Sequence, residues 1–468
     1  MAKIAHIWVR DEVWMTVGGL EPADMTFLWN KYGIEKEGSF FMPARKLGRW
    51  DGKIRFFDKT GKVYLRFINE IAAFLEKWNY EIDLHDERRP MDLVQGRLTP
   101  EWFEGKSKVP IHVRPYQVEA VNAALEAGSG MVIAATGAGK TIMVAGMCSV
   151  LGAEGIRSIV IVPSSDLVIQ TSNTFTLAGV QHGIYSGTTK NLDAPHVIAT
   201  WQALQNNPQI MEGFQCAIVD EAHGASAQTI GDLMTGHGKH IAYRFGFTGT
   251  MPKPLVDQYT LRGSLGEVLY EISAADLIRM GYLANLEIQP IEIQEKVDEE
   301  FPDYASEKSY TSKQADRLDF LADLIIDRAA RYGNTLILVN TIKQGQQLQK
   351  LIKDSVFLHG TTENEVRAEW YSTFENRDDL IVIATVGIAA VGISIDRIFH
   401  LMLIDAGKSF IKCIQSIGRG LRKGHDKDFV NVTDVYSGLK YGKKHARERT
   451  KHYKEAKYPL AKVMKIKL

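Results

Sequence analysis

Cysteine is scarce in this chain. Cys148, Cys216 and Cys413 are far apart and odd in number. They frame neither a disulfide scaffold nor a paired-cysteine metal site, and a reducing cytoplasm is expected. No apolar run reaches the ~18 residues of a membrane span. The first residues, Met1-Ala2-Lys3-Ile4-Ala5-His6, carry no signal-peptide core. Charge of one sign is also missing: 56 Lys/Arg balance 56 Asp/Glu. That removes a global signature of nucleic-acid binding. No internal sequence repeat is evident.

The rest of the composition is globular, 45% hydrophobic and 24% charged over 468 residues, enough for about three domains. Charge is uneven locally. Leu439–Leu468 holds eleven Lys/Arg against Glu448 and Glu455, and Arg45–Arg66 holds eight against Asp51 and Asp58, with Trp50, Phe56, Phe57 and Tyr64 interleaved. Such runs are either solvated faces or surfaces for a phosphate backbone and stacked bases.

Residues 1–90 are expected to form a small α+β module. Strands are expected at Ile4–Arg10 and Val13–Val17, and a short helix at Asp24–Tyr32. Lys53–Phe57 and Lys62–Leu65 bracket the turn Asp58-Lys59-Thr60-Gly61 as a hairpin, and Arg66–Asn79 has helical spacing. Glu81–Pro110, charged and with prolines at 90, 100 and 110, reads as a linker or poorly regular segment. From about Arg114 strands and helices alternate, with strands at Met131–Ala135, Ser158–Val162, His196–Thr200, Cys216–Val219 and Arg244–Thr248. Near-continuous apolar strands of this kind imply a parallel sheet covered on both faces. Glu292–Ser312 reads as an acidic, irregular stretch that contains an exposed excursion near the start of the next domain. A second alternating set follows at Thr335–Val339, Val356–Leu358, Leu380–Ala384, Leu401–Ile404 and Phe429–Val432. The expected division is 1–90, 91–284, 285–438 and a basic extension, 439–468.

One stretch organises the chemistry. The apolar run Met131-Val132-Ile133-Ala134 leads into Thr136-Gly137-Ala138-Gly139-Lys140-Thr141. A glycine turn opening a helix points backbone N–H groups and partial positive charge at one spot. Lys140 can reach the outer phosphates of a nucleotide, and Thr141 can offer its hydroxyl to Mg²⁺. The alternative is a plain glycine-rich connection. Asp220-Glu221-Ala222-His223 follows another strand. Asp220 suits a Mg²⁺ shell, Glu221 suits an attacking water, and His223 lies close enough to relay to the next domain. Gln415–Arg422 contains Arg419 and Arg422, three apart and on one face if helical, able to stabilise charge on a γ-phosphoryl group.

In order along the chain, these motifs resemble those of superfamily 2 helicases and translocases. Arg114-Pro115-Tyr116-Gln117 resembles the adenine-contacting motif, with Gln117 and Arg114 reading the base. Ala135–Thr141 resembles motif I. Pro163-Ser164-Ser165-Asp166-Leu167, ending in Gln170, resembles motif Ia, and Thr200-Trp201 a later backbone contact. Asp220–His223 resembles motif II and Thr248-Gly249-Thr250 motif III. Leu338-Val339-Asn340 resembles motif IV, Ala384-Thr385 through Val391-Gly392-Ile393-Ser394 motif V, and Gln415–Arg422 motif VI. Ser394 replaces the aspartate common in motif V, and Gly249 the commoner alanine of motif III. Gly48-Arg49-Trp50-Asp51-Gly52-Lys53-Ile54-Arg55 is similar to the N-terminal module of the UvsW-type helicases of tailed phages.

The resemblance implies two tandem RecA-like α/β domains and an N-terminal α+β nucleic-acid-binding module. It implies ATP and Mg²⁺ as cofactors. Thr136, Gly137, Ala138, Gly139, Lys140, Thr141, Gly392, Arg419 and Arg422 would surround the nucleotide, and Thr141 and, through water, Asp220 would hold the metal. Nucleic acid would touch Arg49, Trp50, Lys53, Arg55, Pro163, Ser164, Gln170, Thr200, Trp201, Asn340, Thr385, Val386 and Gly387. Trp50 is either a stacking residue or part of a small core. The implied activity is unwinding and branch migration of branched DNA, by a monomer, in a host cytoplasm if the source is a phage. An RNA helicase remains an alternative, as does a strand-annealing protein that uses ATP as a conformational switch.

Overall fold

The computed structural model describes residues 3–88, 94–222, 227–297, 300–363, 376–386, 397–407 and 428–468, together with 366, 369, 370, 372 and 373. Contacts divide the chain into two compact units: Met1–Ala134 with Gly139–Glu271, and Ala135–Ala138 with Ile272–Leu468.

The first unit contains two main sheets. The smaller is ordered Lys62–Tyr64, Trp14–Gly18, Lys3–Val9, Tyr80–Asp86. Strict alternation sends Ala5, Ile7 and Val9 inward, where they meet Leu28, Ile71 and Leu75 from two helices and Phe67 from the turn Leu65–Phe67. Tyr80–Asp86 runs parallel to Lys3–Val9 over its full length. This corrects the linker expected from Glu81: charged residues alternate along an edge strand whose outer face is solvated. The expected hairpin is also altered. Lys53–Arg55 pairs with Gly33–Glu35, and Lys62–Tyr64 pairs with Trp14–Gly18. The bridge Phe57–Val63 and the hydrogen bond from Asp58 N–H to Lys62 O at 3.0 Å join the two arms next to the turn, with no longer ladder among the described residues.

The larger sheet has eight strands, ordered Thr189–Lys190, His182–Ser186, His196–Thr200, Ser158–Val162, Cys216–Asp220, Tyr243–Thr248, Ser129–Ala134, Val268–Ile272. The strands from His182–Ser186 through Ser129–Ala134 pair in parallel. The small sheet packs directly onto this layer. Phe56 and Phe67 lie 5.4 Å and 5.7 Å from Tyr259, ring centre to ring centre. A Cβ at Gly263 would stand 2.5 Å from the Tyr64 ring, so only glycine admits this contact. Glu12 binds Arg88 at 2.8 Å, and its backbone N–H donates to Lys239 O at 3.1 Å.

The second unit is a seven-stranded parallel sheet, ordered Ser355–Leu358, Ile381–Thr385, Thr335–Val339, His400–Ile404, Phe429–Ser437, Asn285–Gln294, Met464–Lys467. Two expectations change here. Glu292 lies buried within the strand Asn285–Gln294, and Tyr304–Thr311 is a helix capped by Asp303. The described ends of the acidic stretch are built into the unit, because Glu292, Glu295, Asp303 and Glu307 have partners there. The basic extension is likewise structural. The helix Lys440–Glu455 buries Arg449, which forks onto Asp434 at 2.8 Å and 3.0 Å, and Glu307 accepts the backbone N–H groups of Tyr441 and Gly442 at that helix's start. The carboxylate satisfies donors that a helix N-terminus leaves open.

Candidate active site

In the eight-stranded sheet, Tyr243–Thr248 lies between Ser129–Ala134 and Cys216–Asp220. All three run parallel, so the segments that follow them emerge at the same edge. The loop after Ser129–Ala134 turns through Gly137 (φ 88°) and Gly139 (φ 79°), left-handed conformations that glycine adopts without penalty. Gly139 caps the helix Lys140–Ala153. Lys140, only 9% exposed, lies 3.2 Å from Glu221 Oε1 and 3.4 Å from Ala134 O. Thr141 follows on the helix, half-buried, as does Thr136 on the loop; Ala138 is buried.

Glu221 also has a left-handed backbone, φ 52°, and its N–H donates to Asp220 Oδ1 at 2.9 Å. Burial, and then repulsion from Glu221, hold the Asp220 carboxyl well above the usual carboxylate range, while Lys140 opposes the shift. Two carboxylates and a lysine thus meet beside the start of this helix, where Thr141 also lies. The chemistry of this set fits a divalent cation, which would relieve the repulsion between Asp220 and Glu221. Thr248 is fully buried and donates to Thr250 O at 2.9 Å. It ties the strand between the lysine and acidic segments to its following turn.

Gln117 is buried on the helix Pro115–Ala127, and its Oε1 accepts the backbone N–H of Arg114 at 2.9 Å. A Cβ at Gly139 would collide with the Gln117 amide nitrogen. The adenine-motif glutamine therefore sits against the phosphate-loop glycine. Arg114 reaches the Tyr116 hydroxyl at 3.1 Å.

The expected strand contacts occupy ends of adjacent parallel strands. Ser164 caps the helix Ser165–Ala178, accepting Leu167 N–H, and Thr200 caps Trp201–Asn206, accepting Ala203 N–H. Pro163 O accepts from Gln202 Nε2 at 3.3 Å. Gln170 is half-buried, and half-buried Trp201 packs on the core. In the second unit Asn340 donates to Asp405 O, and Thr385 and Val386 are half-buried. Asp405 itself, φ 47°, is held by both nitrogen–oxygen contacts of Arg317 Nη2, 2.7 Å and 2.8 Å. His223, Gly387, Gly392, Arg419 and Arg422 lie outside the described residues.

Three family models match this chain: DNA helicase UvsW, N-terminal, at residues 22–85; Type III restriction enzyme, res subunit, at 110–253; and Helicase conserved C-terminal domain at 316–424. The ATP-dependent DNA helicase uvsW of Enterobacteria phage T4 is 24% identical over 477 residues, covering 91% of this chain and 93% of the relative. In the order of these three models and along nearly its whole length, the chain is similar to the UvsW-type superfamily 2 helicases. The crystal structure of T4 UvsW covers 99% of both chains at 20% identity and a TM-score of 0.50. S. cerevisiae Dbp5, solved with RNA and ADP BeF3, covers 76% of this chain and 90% of its own at 15% identity and a TM-score of 0.54. These structures share the RecA-like fold. The matched helicase domains imply ATP use and nucleic-acid binding.

The UvsW-type N-terminal module corrects one inference drawn from composition. Among the aromatics of the basic stretch, Phe56, Phe57 and Tyr64 are buried core. Arg45 pairs with Glu35 at 2.5 Å, Arg55 pairs with Asp51 and stacks over Trp29 at 3.9 Å, and Arg66 faces Glu12 at 3.8 Å. Trp50 is half-buried and donates to Lys53 O at 2.9 Å; Lys53 is half-buried too, and Arg49 is exposed. What the stretch leaves outside is different: Phe40, Phe41 and Leu47, the second 80% exposed, beside exposed Lys46 and Arg49. Phe40 and Phe41 precede the stretch, which is why its composition did not reveal them.

Proposed function

We propose that this helicase is an ATP-driven DNA motor that unwinds and branch-migrates branched DNA. One observation carries the catalytic half: the buried meeting of Lys140, Asp220 and Glu221 beneath the Gly137–Gly139 turn. Lys140 and the N–H groups of the turn and helix start bind the outer phosphates. Thr141 and Asp220 would hold Mg²⁺, which neutralises phosphate charge when bound. Glu221 orients the attacking water, and Gln117 and Arg114 border the base. Arg419 and Arg422 are proposed to supply the guanidinium groups that stabilise the γ-phosphoryl charge.

Two surfaces support the nucleic-acid half. Phe40, Phe41, Lys46 and Arg49 combine stacking faces with phosphate-seeking cations, a combination that suits unpaired or junction DNA. In the second unit, a groove of about 890 Å³ runs between the helix Lys440–Glu455 and the strand Met464–Lys467, where Arg447, Lys454 and Lys465 join Lys443 and Lys451, the last two paired with Glu292 and Glu455. Ser164, Thr200, Thr385 and Asn340 sit at strand ends, where a translocated strand can be gripped by its phosphates. Similarity to the T4 DNA helicase favours DNA over RNA, and a monomer working in the host cytoplasm is part of the same proposal.

The test compares ATPase stimulation by single-stranded, forked and four-way DNA with matched RNA. Branched DNA is expected to stimulate most, and Lys140→Ala to remove both ATP hydrolysis and unwinding. Equal stimulation by RNA sinks the DNA assignment. Unwinding by the Lys140→Ala protein sinks the motor. Annealing that survives in that variant would reveal a separate, ATP-independent activity.

A further inference from the structure

The outer face of the small N-terminal sheet carries a cluster that neither nucleotide chemistry nor the basic surfaces use. Alternation along Lys3–Val9 points His6 and Trp8 away from the core. The parallel register places Asp83 opposite His6 and His85 opposite Trp8. His6 Nδ1 and His85 Nε2 lie 2.8 Å and 2.9 Å from the same oxygen, Asp83 Oδ2, and the three ligand atoms all fall within 4.8 Å of one another. The two imidazoles stack with the Trp8 ring at 5.3 Å and 5.9 Å between centres, which fixes their planes.

We propose that His6, Asp83 and His85 form a binding site for a divalent transition metal, zinc-like in preference, with a remaining position open to solvent. Two neutral imidazoles and one carboxylate are donors that such ions favour, whereas Mg²⁺ takes oxygen ligands and keeps its water. This donor set therefore separates the site from the motor's own metal. A tetrahedral ion with bonds of about 2.0–2.1 Å holds its ligands about 3.3 Å apart. The two nitrogen–oxygen distances need to open by about half an ångström, and the two nitrogens, within 4.8 Å of each other, settle to the same spacing by side-chain rotation. Their backbones are already registered by a continuous parallel ladder, so little ordering remains to be done. His85 and Asp83 belong to an edge strand. An ion here would clip that edge to its neighbour and stabilise the folded module, because the unfolded chain does not hold the three ligands together.

The full-length chain, stripped with chelator and free of nucleotide, is titrated with Zn²⁺ by calorimetry and with Co²⁺ by visible absorption. One saturable equivalent and a raised melting temperature are expected. His85→Ala and Asp83→Asn should each weaken that binding at least about tenfold and abolish the melting shift, with unchanged circular dichroism. Both positions lie on the solvated face, so the fold does not depend on them; His6→Gln provides a third variant from the neighbouring strand. Absence of saturable binding by the unaltered chain overturns the proposal. So does binding whose affinity is untouched in all three variants, since the ion would then sit elsewhere and the cluster would be a hydrogen-bonded network only.

Discussion

At the scale of single residues, Glu221 is the most informative side chain of the nucleotide site. It is bound to Lys140 at 3.2 Å and raises the affinity of its neighbour Asp220 for a proton. Glu221→Gln keeps the shape and removes the charge. The expected result is ATP binding close to that of the unaltered protein and a turnover lower by about 10²–10³-fold, measured by filter binding and steady-state ATPase. Unimpaired turnover would remove Glu221 from the water-activating role. His400 makes a different prediction, about stability. It is fully buried between Thr335 and Thr433, its Nε2 2.8 Å from the Thr433 hydroxyl, and burial lowers its pKa to about 3. In the unfolded chain an imidazole takes its proton near pH 6.5. Between about pH 6.5 and 3 the unfolded state therefore binds a proton that the folded state does not, and stability falls as pH falls. The slope approaches about 1.4 kcal/mol per pH unit. His196, lowered to about 4 by burial, adds to it in the first unit. Denaturant melts at pH 7 and pH 5 should show this loss, and His400→Gln should flatten the slope for the second unit.

At the scale of elements, the helix Lys440–Glu455 shows what composition hides. Its seven Lys/Arg and lack of an apolar stripe suggest a solvated tail. Yet Arg449 is 1% exposed, forked onto Asp434, while the Tyr453 hydroxyl donates to Asp434 at 3.0 Å. Nothing local in the sequence distinguishes this arginine from its neighbours; its partner lies fifteen residues upstream on a strand. Arg449→Ala leaves a buried carboxylate uncompensated and is expected to cost about 3–5 kcal/mol, read from denaturant melts of the second unit. Replacing exposed Lys444 should cost almost nothing. The parallel strands were far more legible: Ser158–Val162, His196–Thr200 and Thr335–Val339 match their expected bounds. Five consecutive buried positions leave a continuous apolar run, which the eye finds easily. Asn285–Gln294 was missed because Glu292 and Gln289 interrupt that run, and their partners come from distant segments.

At the scale of the whole molecule, the lysine and acidic motifs were readable because Lys140 and Asp220-Glu221 each lie where a strand ends, a position that chain order alone reveals. The nucleic-acid surface was less so. Basic residues near aromatics arise equally from internal ion pairs, and Arg45, Arg55 and Arg66 are of that kind. Binding should therefore respond to the residues left outside. Phe41→Ala is expected to weaken single-stranded and forked DNA by about 1–3 kcal/mol with little change in salt dependence, since it removes stacking. Arg49→Ala should instead reduce the slope of log K against log salt by about 0.7–0.9. Fluorescence anisotropy across a salt series separates the two; identical slopes and affinities in both variants would place the DNA elsewhere on the molecule.

The pairing of Ile291–Gln294 with Met464–Lys467 has a consequence for synthesis. The first unit is contiguous through Glu271 apart from four residues, so it can fold while translation continues. The second cannot close its sheet until residue 467 has left the ribosome. For the time taken to make about 170 residues, the strand Asn285–Gln294 waits without one neighbour and, until Phe429–Ser437 is made, without either. A ribosome-stalled chain ending near residue 440 should thus yield a protease-resistant first unit and a digestible remainder.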